Sequence, residues 1–458
     1  MDCDELYVSF LFPPYDDVSG ITVFKRILNN KKPVDILQRS FNSSDDSFKD
    51  FNQYINDRIF VDCDCELDSP ECIFKMVDKS IELLKNDYKK IYSRSWMMQN
   101  HFIALEYKFL HPDVFWRAEF SDPMILNISN KVRKNKRLNI DNQSFIDKVN
   151  AEIVRLNEAL DASFSLIENN SSIFYAAEYL TYLFADELIF TNENQRKIMI
   201  NQFPEELQKF IMQKSVIEMH PTLDEEYYQL KTVDLNLDDD CINIAYFGRD
   251  YYGQRHFESL FYSMESLNHE FKDKLKIHIF IEDVGLIEKL ISPLQSRNNF
   301  IVRKPLKYFD FLNASTQFDV LIVSDVTTRG VWPFNPYLPS KLSDYLGSKT
   351  DIWALCEKGS TLSSFDLKYK SNIADFNDCR SQLIRILEDN GFKDDDSSCD
   401  EEYLLQRLTD LNRLYELEFK RNSKLQKENR SLKKMNKEIL SSNSWKLTRP
   451  LRRIKNNR

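Results

Sequence analysis

The feature that most constrains this chain is an alternation, repeated in two blocks, of short apolar runs with stretches of helical period. Residues 6–12 (Leu-Tyr-Val-Ser-Phe-Leu-Phe) form an apolar run ended by Pro13-Pro14, as a buried strand would be. A periodic stretch from Ile21 to Leu28 follows. The pattern predicts strands at Arg58–Asp62, Val114–Ala118 and Glu187–Thr191. Between and after them it predicts helices at Cys72–Leu84, Ala159–Phe184 (broken near Asn169–Ser171) and Glu193–Asn201. Asp234–Asp240 is polar and acidic, which suits a linker. A second series opens directly after it, with strands at Ile242–Phe247, Lys276–Ile281, Asp319–Ser324 and Ile352–Cys356. Its helices are His256–Leu267, one starting at Lys341–Leu346, and Ser381–Asp389. Alternation of this kind specifies parallel sheets covered by helices. The expected class is therefore α/β, with two Rossmann-like domains at 1–233 and 241–392.

Composition narrows the class further. Hydrophobic residues make up 42% and charged residues 29%, as in soluble globular chains. Only 8 of 458 residues are Gly, well under the usual ~7%. That scarcity argues against collagen-like, linker-rich and glycine-fingerprint dinucleotide folds. No apolar run reaches the ~18 residues of a membrane-spanning helix. The opening Met1-Asp2-Cys3-Asp4-Glu5 is acidic where a signal peptide would be basic, so a cytoplasmic location is expected. Eight cysteines dispersed over the chain read as reduced thiols. Cys63, Cys65 and Cys72 cluster beside Asp62, Asp64 and Glu66, but no second Cys/His pair at zinc spacing follows, and no metal is expected.

Charge is unevenly placed. Residues 420–458 hold 14 Lys/Arg against 2 Asp/Glu, so a tail of about +12 follows an acidic body of about −22. After the polar hinge Asp394–Ser398, Leu404, Leu411, Leu425, Leu432 and Ile439 fall on one seven-residue series, with Glu418 the exception. Leu414 and Met435 sit at the three-residue offset, where Arg421 and Glu428 interrupt. The 400–441 segment thus reads either as a coiled coil joining this chain to a like or unlike partner, or as an amphipathic helix docked on its own domain. Residues 442–458 form a basic amphipathic tail. Within it, Ser444–Ile454 interleaves cations with Trp445, Leu447 and Leu451, which suits an anionic membrane surface. Nucleic acid competes for such a tail, but no basic patch or RNA-binding motif elsewhere supports it, and no nucleic-acid partner is expected.

In open parallel sheets ligands bind beyond the carboxyl ends of the strands. After Ile242–Phe247 come Gly248 and Arg249, then Arg255. A glycine there admits a phosphate to the backbone, and the two arginines can pair with a diphosphate. Alone this is a weak signal, because surface arginines are common in βα loops. The second cluster is Asn335–Tyr345, where Ser340 is a candidate N-cap, Lys341 stands in the first turn and Asp344 one turn later. A lysine and a carboxylate there suit phosphate and ribose; the alternative is a surface ion pair. On the first domain, Gly20 follows the first strand. Arg94, Glu119 and Asp122, with His220 before Pro221, are the polar candidates for an acceptor cleft.

Tyr246-Phe247-Gly248-Arg249 through Arg255, Phe318–Asp325 and Pro339–Gly347 resemble the donor half of bacterial GT-B glycosyltransferases, those similar to family 4 of cell-surface polysaccharide assembly. Tyr92–Ser95 and Trp116–Pro123 resemble their first half, and Ser444–Arg452 is similar to a tail of cell-envelope glycosyltransferases. The resemblance implies two domains facing across a cleft, with a helical tail. It implies a nucleoside-diphosphate sugar as substrate, with no separate cofactor and no metal. Arg249, Arg255 and Lys341 would neutralise the departing diphosphate, and Asp344 would accept from ribose hydroxyls. Gly248, Ser340, Asp325 and Gly20 would complete the donor site. Pro336 stands where a glutamate eight residues before Asp344 is common in the family, so neither donor-sugar recognition nor stereochemistry carries over. The expected activity is sugar transfer (a hexosyltransferase-like enzyme) to a lipid-linked or polymer acceptor at the inner membrane face. The alternative is a catalytically inactive scaffold that holds an active glycosyltransferase through 404–440.

Overall fold

The computed structural model describes residues 3–15, 17–41, 48–62, 69–133, 136–249 and 255–392, with six isolated positions beyond. Those six, Arg413, Lys424, Glu428, Ser431, Leu432 and Met435, are helical and exposed. The rest of the expected 400–441 helix, the 442–458 tail, Cys63 and Cys65 lie outside the described residues.

The elements run β1 (Glu5–Val8), α1 (Val18–Asn30), β2 (Val34–Arg39), β3 (Ile55–Val61), α2 (Pro70–Leu83), β4 (Lys90–Ser95), α3 (Met98–Leu110) and β5 (Phe115–Phe120). Then come α4 (Gln143–Leu160), α5 (Ile173–Phe184), β6 (Glu187–Phe190), α6 (Glu193–Ile200), α7 (Glu205–Gln213), β7 (Ser215–Ile217) and β8 (Ile242–Phe247). The chain continues with α8 (Phe257–Glu265), α9 (His269–Asp273), β9 (Leu275–Phe280), α10 (Val284–Ile291), β10 (Phe300–Arg303) and α11 (Tyr308–Ser315). It closes with β11 (Val320–Ser324), α12 (Lys341–Ser348), β12 (Asp351–Cys356), β13 (Tyr369–Asn372) and α13 (Phe376–Asp389).

Two parallel sheets result, as the alternation requires. One has seven strands in the order β3-β2-β1-β4-β5-β6-β7, the other six in the order β10-β9-β8-β11-β12-β13. Each order reverses at its first strand, between β1 and β4 and between β8 and β11, and such switch points are where open α/β sheets leave a crevice. Strands covered on both faces read as apolar runs, and β8 and β11 are buried at every residue. By compactness the chain forms two units, 1–247 with 305–373, and 248–304 with 374–458. In the first, Trp116, Phe120 and Tyr182 belong to a continuous apolar core around the seven-stranded sheet. In the second, β9 pairs β10 in parallel, and Ser263 on α8 donates to the Phe376 carbonyl of α13 at 3.0 Å.

Several helix starts follow from local chemistry. Asp17 caps α1 by accepting from Ser19 N and Gly20 N at 2.9 and 3.2 Å. Ser69 caps α2, with Pro70 at the first position and Glu71 in the first turn. The expected helix at Ala159–Phe184 forms over its second half, but the break is longer than expected: α4 ends at Leu160, Asp161 turns left-handed (φ 51°), and α5 starts at Ile173. Two asparagines of α4 make the difference. Asn157 exchanges 2.9 Å bonds with the backbone of Phe164, and Asn150 does so with Ile167 at 2.8 and 2.9 Å. These side chains satisfy an extended segment that buries Phe164 and Ile167, which competes with continuing the helix. The expectation of reduced thiols also fails at one position, since Cys72 is disulfide-bonded while Cys3, Cys241, Cys356 and Cys379 are free. Mean spacing along the chain does not predict whether a given cysteine pairs.

Candidate functional site

The carboxyl edge of the seven-stranded sheet carries a buried charge network. Its first contributor is α1, which buries every residue from Gly20 to Leu28, including the cations Lys25 and Arg26. Gly20 lets this helix sit close to the loop after β1, because a Cβ there would stand 1.9 Å from the Leu11 carbonyl oxygen. The chain's own backbone therefore sets the need for glycine at this position.

Arg26 forms ion pairs with Glu119 of β5 and with Glu218, and Tyr92 donates to the same Glu119 carboxylate. Arg94 of β4 approaches Glu119 from the other side, Nε to Oε1 at 3.1 Å. Arg94, Glu119 and Tyr92 are all at most 4% exposed. Burial alone would raise the Glu119 carboxyl, but Arg26 and Arg94 overcome it and hold the group down at about 2. The Nη2 of Arg94 lies 3.1 Å from His220 Nε2. Burial, reinforced by Arg94, keeps His220 well below its ordinary value, so the ring is neutral and Nε2 accepts from the guanidinium. Three of the four acceptor-cleft candidates, Arg94, Glu119 and His220, are thus brought into one network. Asp122 lies within the reach of Arg94 and Arg133, whose pull is weaker than desolvation, and its carboxyl rises to about 6.

The second part of the site is the first turn of α12. Ser340 precedes the helix as expected, but its side chain makes no capping bond and its backbone is already helical (φ −61°, ψ −28°). The turn is held instead by Ser343, whose hydroxyl donates to the Ser340 carbonyl at 2.9 Å. Asp344 is buried, so the alternative of a surface pair with Lys341 does not hold. Lys25 donates to its Oδ1 at 2.8 Å and to Ser343 Oγ at 2.7 Å, and the Tyr308 hydroxyl donates to the same Oδ1 at 3.2 Å. The Asp344 carbonyl accepts from Tyr228 OH at 2.6 Å. Oδ2 takes no bond among the described residues, yet the side chain keeps 7% of its surface exposed. Burial pushes the Lys25 ammonium down, with Asp344 pulling back up. The Lys341 ammonium stands 3.6 Å from the centre of the Phe311 ring, a cation–π contact.

Asp325 directly follows β11 and is fully buried, its Oδ2 accepting from Glu357 N at 2.8 Å. Glu357 ties the loop that leads to α12 by accepting from Thr328 N, Thr328 Oγ1 and Asn335 Nδ2. The chain's first half reaches this loop through Asn192 Nδ2, which donates to the Pro336 carbonyl at 3.1 Å.

In the second unit, Gly248 is half-buried and donates its N–H to the Phe280 carbonyl at 3.1 Å. Arg249 is exposed, whereas Arg255 is buried and donates Nε to the Arg249 carbonyl at 2.9 Å. Among the described residues no group of three His, Cys, Asp or Glu side chains is placed to hold a metal ion. No described helix is long and apolar enough to cross a membrane.

Sequence reasoning missed Lys25, Arg26, Glu218, Tyr228 and Tyr308. One signal was present for the first two, a dibasic step inside the stretch Ile21–Leu28, which is otherwise apolar but for Thr22. The arrangement as a whole offers a carboxylate with one oxygen open to a hydroxyl, beside a buried network in which Lys25, Arg26 and Arg94 are each paired with a carboxylate.

No family model matches this chain, and no curated protein matches it. Its fold is similar to that of solved structures at very low sequence identity. The Anabaena Alr3699/HepE structure in complex with UDP and glucose aligns with a TM-score of 0.51 at 10% identity, over 90% of this chain and 98% of that one. A glycosyltransferase from Rickettsia africae aligns at 0.52 and 11%, over 93% and 98%. The N-terminal domain of Candida albicans trehalose-6-phosphate phosphatase aligns at 0.53 and 9%, over 89% and 92%. The chain therefore has the two-sheet α/β fold expected of a GT-B protein.

Proposed function

We propose that this protein is a glycosyltransferase that moves a sugar from a nucleoside-diphosphate sugar to a lipid-linked or polymer acceptor in cell-surface glycan synthesis. The observation that carries the reading is Asp344 in the first turn of α12, one oxygen clamped and the other open, one turn from Lys341. A carboxylate oxygen of this kind suits a ribose hydroxyl, and a first-turn ammonium suits a phosphate. Support also comes from a neighbour of the same fold that was crystallised with UDP and glucose.

As the glycosidic bond to the donor breaks, negative charge builds on the departing diphosphate. Fixed cations at Lys341, Arg249 and Arg255 lower that barrier electrostatically, and no divalent metal is then required. Arg94, Glu119, Asp122 and His220 form the acceptor side of the reading. The basic 444–458 segment would hold the enzyme on the inner membrane face, where a lipid-linked acceptor is found.

Calorimetric titration with UDP, GDP and their sugars, without added metal, tests the proposal. Micromolar binding of one nucleotide is expected, weakened in Lys341→Ala, and with the matching donor that variant should lose turnover at least about tenfold. Well-folded protein that binds no nucleotide would sink the enzyme reading in favour of a scaffold that holds an active partner.

A further inference from the structure

The geometry points to Lys25 as a positioning residue that, with Tyr308, presents Asp344 Oδ2 as a selective acceptor for a ribonucleotide hydroxyl. The inference rests on the donor-site reading above and adds to it a group from the other sheet's first helix. Both donors converge on one oxygen: Lys25 Nζ reaches Oδ1 at 2.8 Å and Tyr308 OH reaches it at 3.2 Å. Oδ2 has no donor among the described residues, while 7% of the side chain stays open to solvent. A carboxylate has about four lone-pair sites, and a clamp on one oxygen fixes the plane in which the other offers its own.

Lys25 does more than neutralise the acid. Its second bond, to Ser343 Oγ at 2.7 Å, passes on through Ser343 to the Ser340 carbonyl at 2.9 Å. The ammonium thus sets both the carboxylate's orientation and the first turn that carries it. Lys25 is 3% exposed and stands on a helix buried from Gly20 to Leu28, so its reach is constrained by packing. Tyr228 completes the support from behind. Its hydroxyl donates to the Asp344 carbonyl, and a Cβ at Gly347 would stand 2.1 Å from the Tyr228 hydroxyl oxygen.

A single open acceptor, held by two fixed donors, discriminates by what it meets. A hydroxyl donates to it, whereas a hydrogen in the same place leaves a partly desolvated carboxylate oxygen unsatisfied. Hydrogen bonds to charged groups contribute roughly 1.5–3 kcal/mol, about a ten- to hundredfold preference. The full-length protein is titrated with UDP and 2′-deoxy-UDP, and with the guanosine pair, as wild type, Lys25→Met and Tyr308→Phe. Wild type is expected to favour the ribonucleotide at least about tenfold. Lys25→Met should bring that ratio close to one, and Tyr308→Phe should lower it by a smaller factor.

A ratio unchanged in both variants would overturn the role of the clamp and leave the donor site standing. Equal binding of ribo- and deoxynucleotide by wild type would overturn the selective acceptor itself. Absence of any nucleotide binding to wild type would instead refute the donor-site reading. Should Lys25→Met fail to fold, Tyr308→Phe, which removes one hydroxyl, decides the matter alone through the same ratio.

Discussion

Glu119 is the residue whose loss should be felt most in the stability of the first unit. Its carboxylate is 1% exposed and faces Arg26, Arg94 and Tyr92 together. Glu119→Gln keeps the volume but leaves two buried guanidinium groups opposite a neutral amide. Removing one partner of a buried pair costs about 3–5 kcal/mol. The proton equilibrium gives a second route to the magnitude. The carboxyl falls from an ordinary 4.5 to about 2, and at ~1.36 kcal/mol per tenfold this corresponds to about 3 kcal/mol. Because the folded value is the lower one, this stability is fully present above pH 4.5 and is lost as the pH falls toward 2. Urea unfolding followed by circular dichroism should therefore show the variant about 3 kcal/mol less stable at pH 7. The gap to wild type should narrow as the pH falls from 4.5 to 3. Asp224→Asn, at the exposed pair with Lys31, is the control and should leave the midpoint where it was. A loss under about 1 kcal/mol at pH 7, or a gap that does not change with pH, would refute the account of the network.

Gly20→Ala places a methyl 1.9 Å from the Leu11 carbonyl oxygen, a backbone atom with no rotamer to move. The first unit should lose about 1–3 kcal/mol or more of stability, measured by the same unfolding assay. Removal of residues 442–458 should abolish sedimentation with vesicles containing anionic lipid and leave nucleotide affinity unchanged. Sedimentation that persists would remove the membrane role from the tail.

Much of the fold could be read from one dimension. β8 and β11 are sealed on both faces, so Ile244–Phe247 and Val320–Val323 appear as unbroken apolar runs, and their strand assignment needs no partner. β2 escaped because Asp35 interrupts its run, and only the fold supplies the hydroxyl of Tyr88 and the amides of Asn56 and Asn86 that satisfy it. α3 escaped for the same reason, since Gln99, Asn100 and His101 are polar yet buried. Segment 161–168 read as helix because its apolar spacing permits one, whereas the amides of Asn150 and Asn157 that hold it extended are a tertiary matter.

The candidate site divides along the same line. That Lys341 and Asp344 stand near the start of a helix after a buried strand followed from spacing alone, because neighbours in a helix are neighbours in sequence. That Asp344 turns instead to Lys25, 319 residues away, could not follow from it. Nor could the convergence of Arg26, Arg94, Glu119 and Glu218 from four separate segments. Local period encodes which residues share a face of one element. Charge pairing across elements is decided by which strands the sheet sets side by side, and burial then makes each of those few pairs consequential.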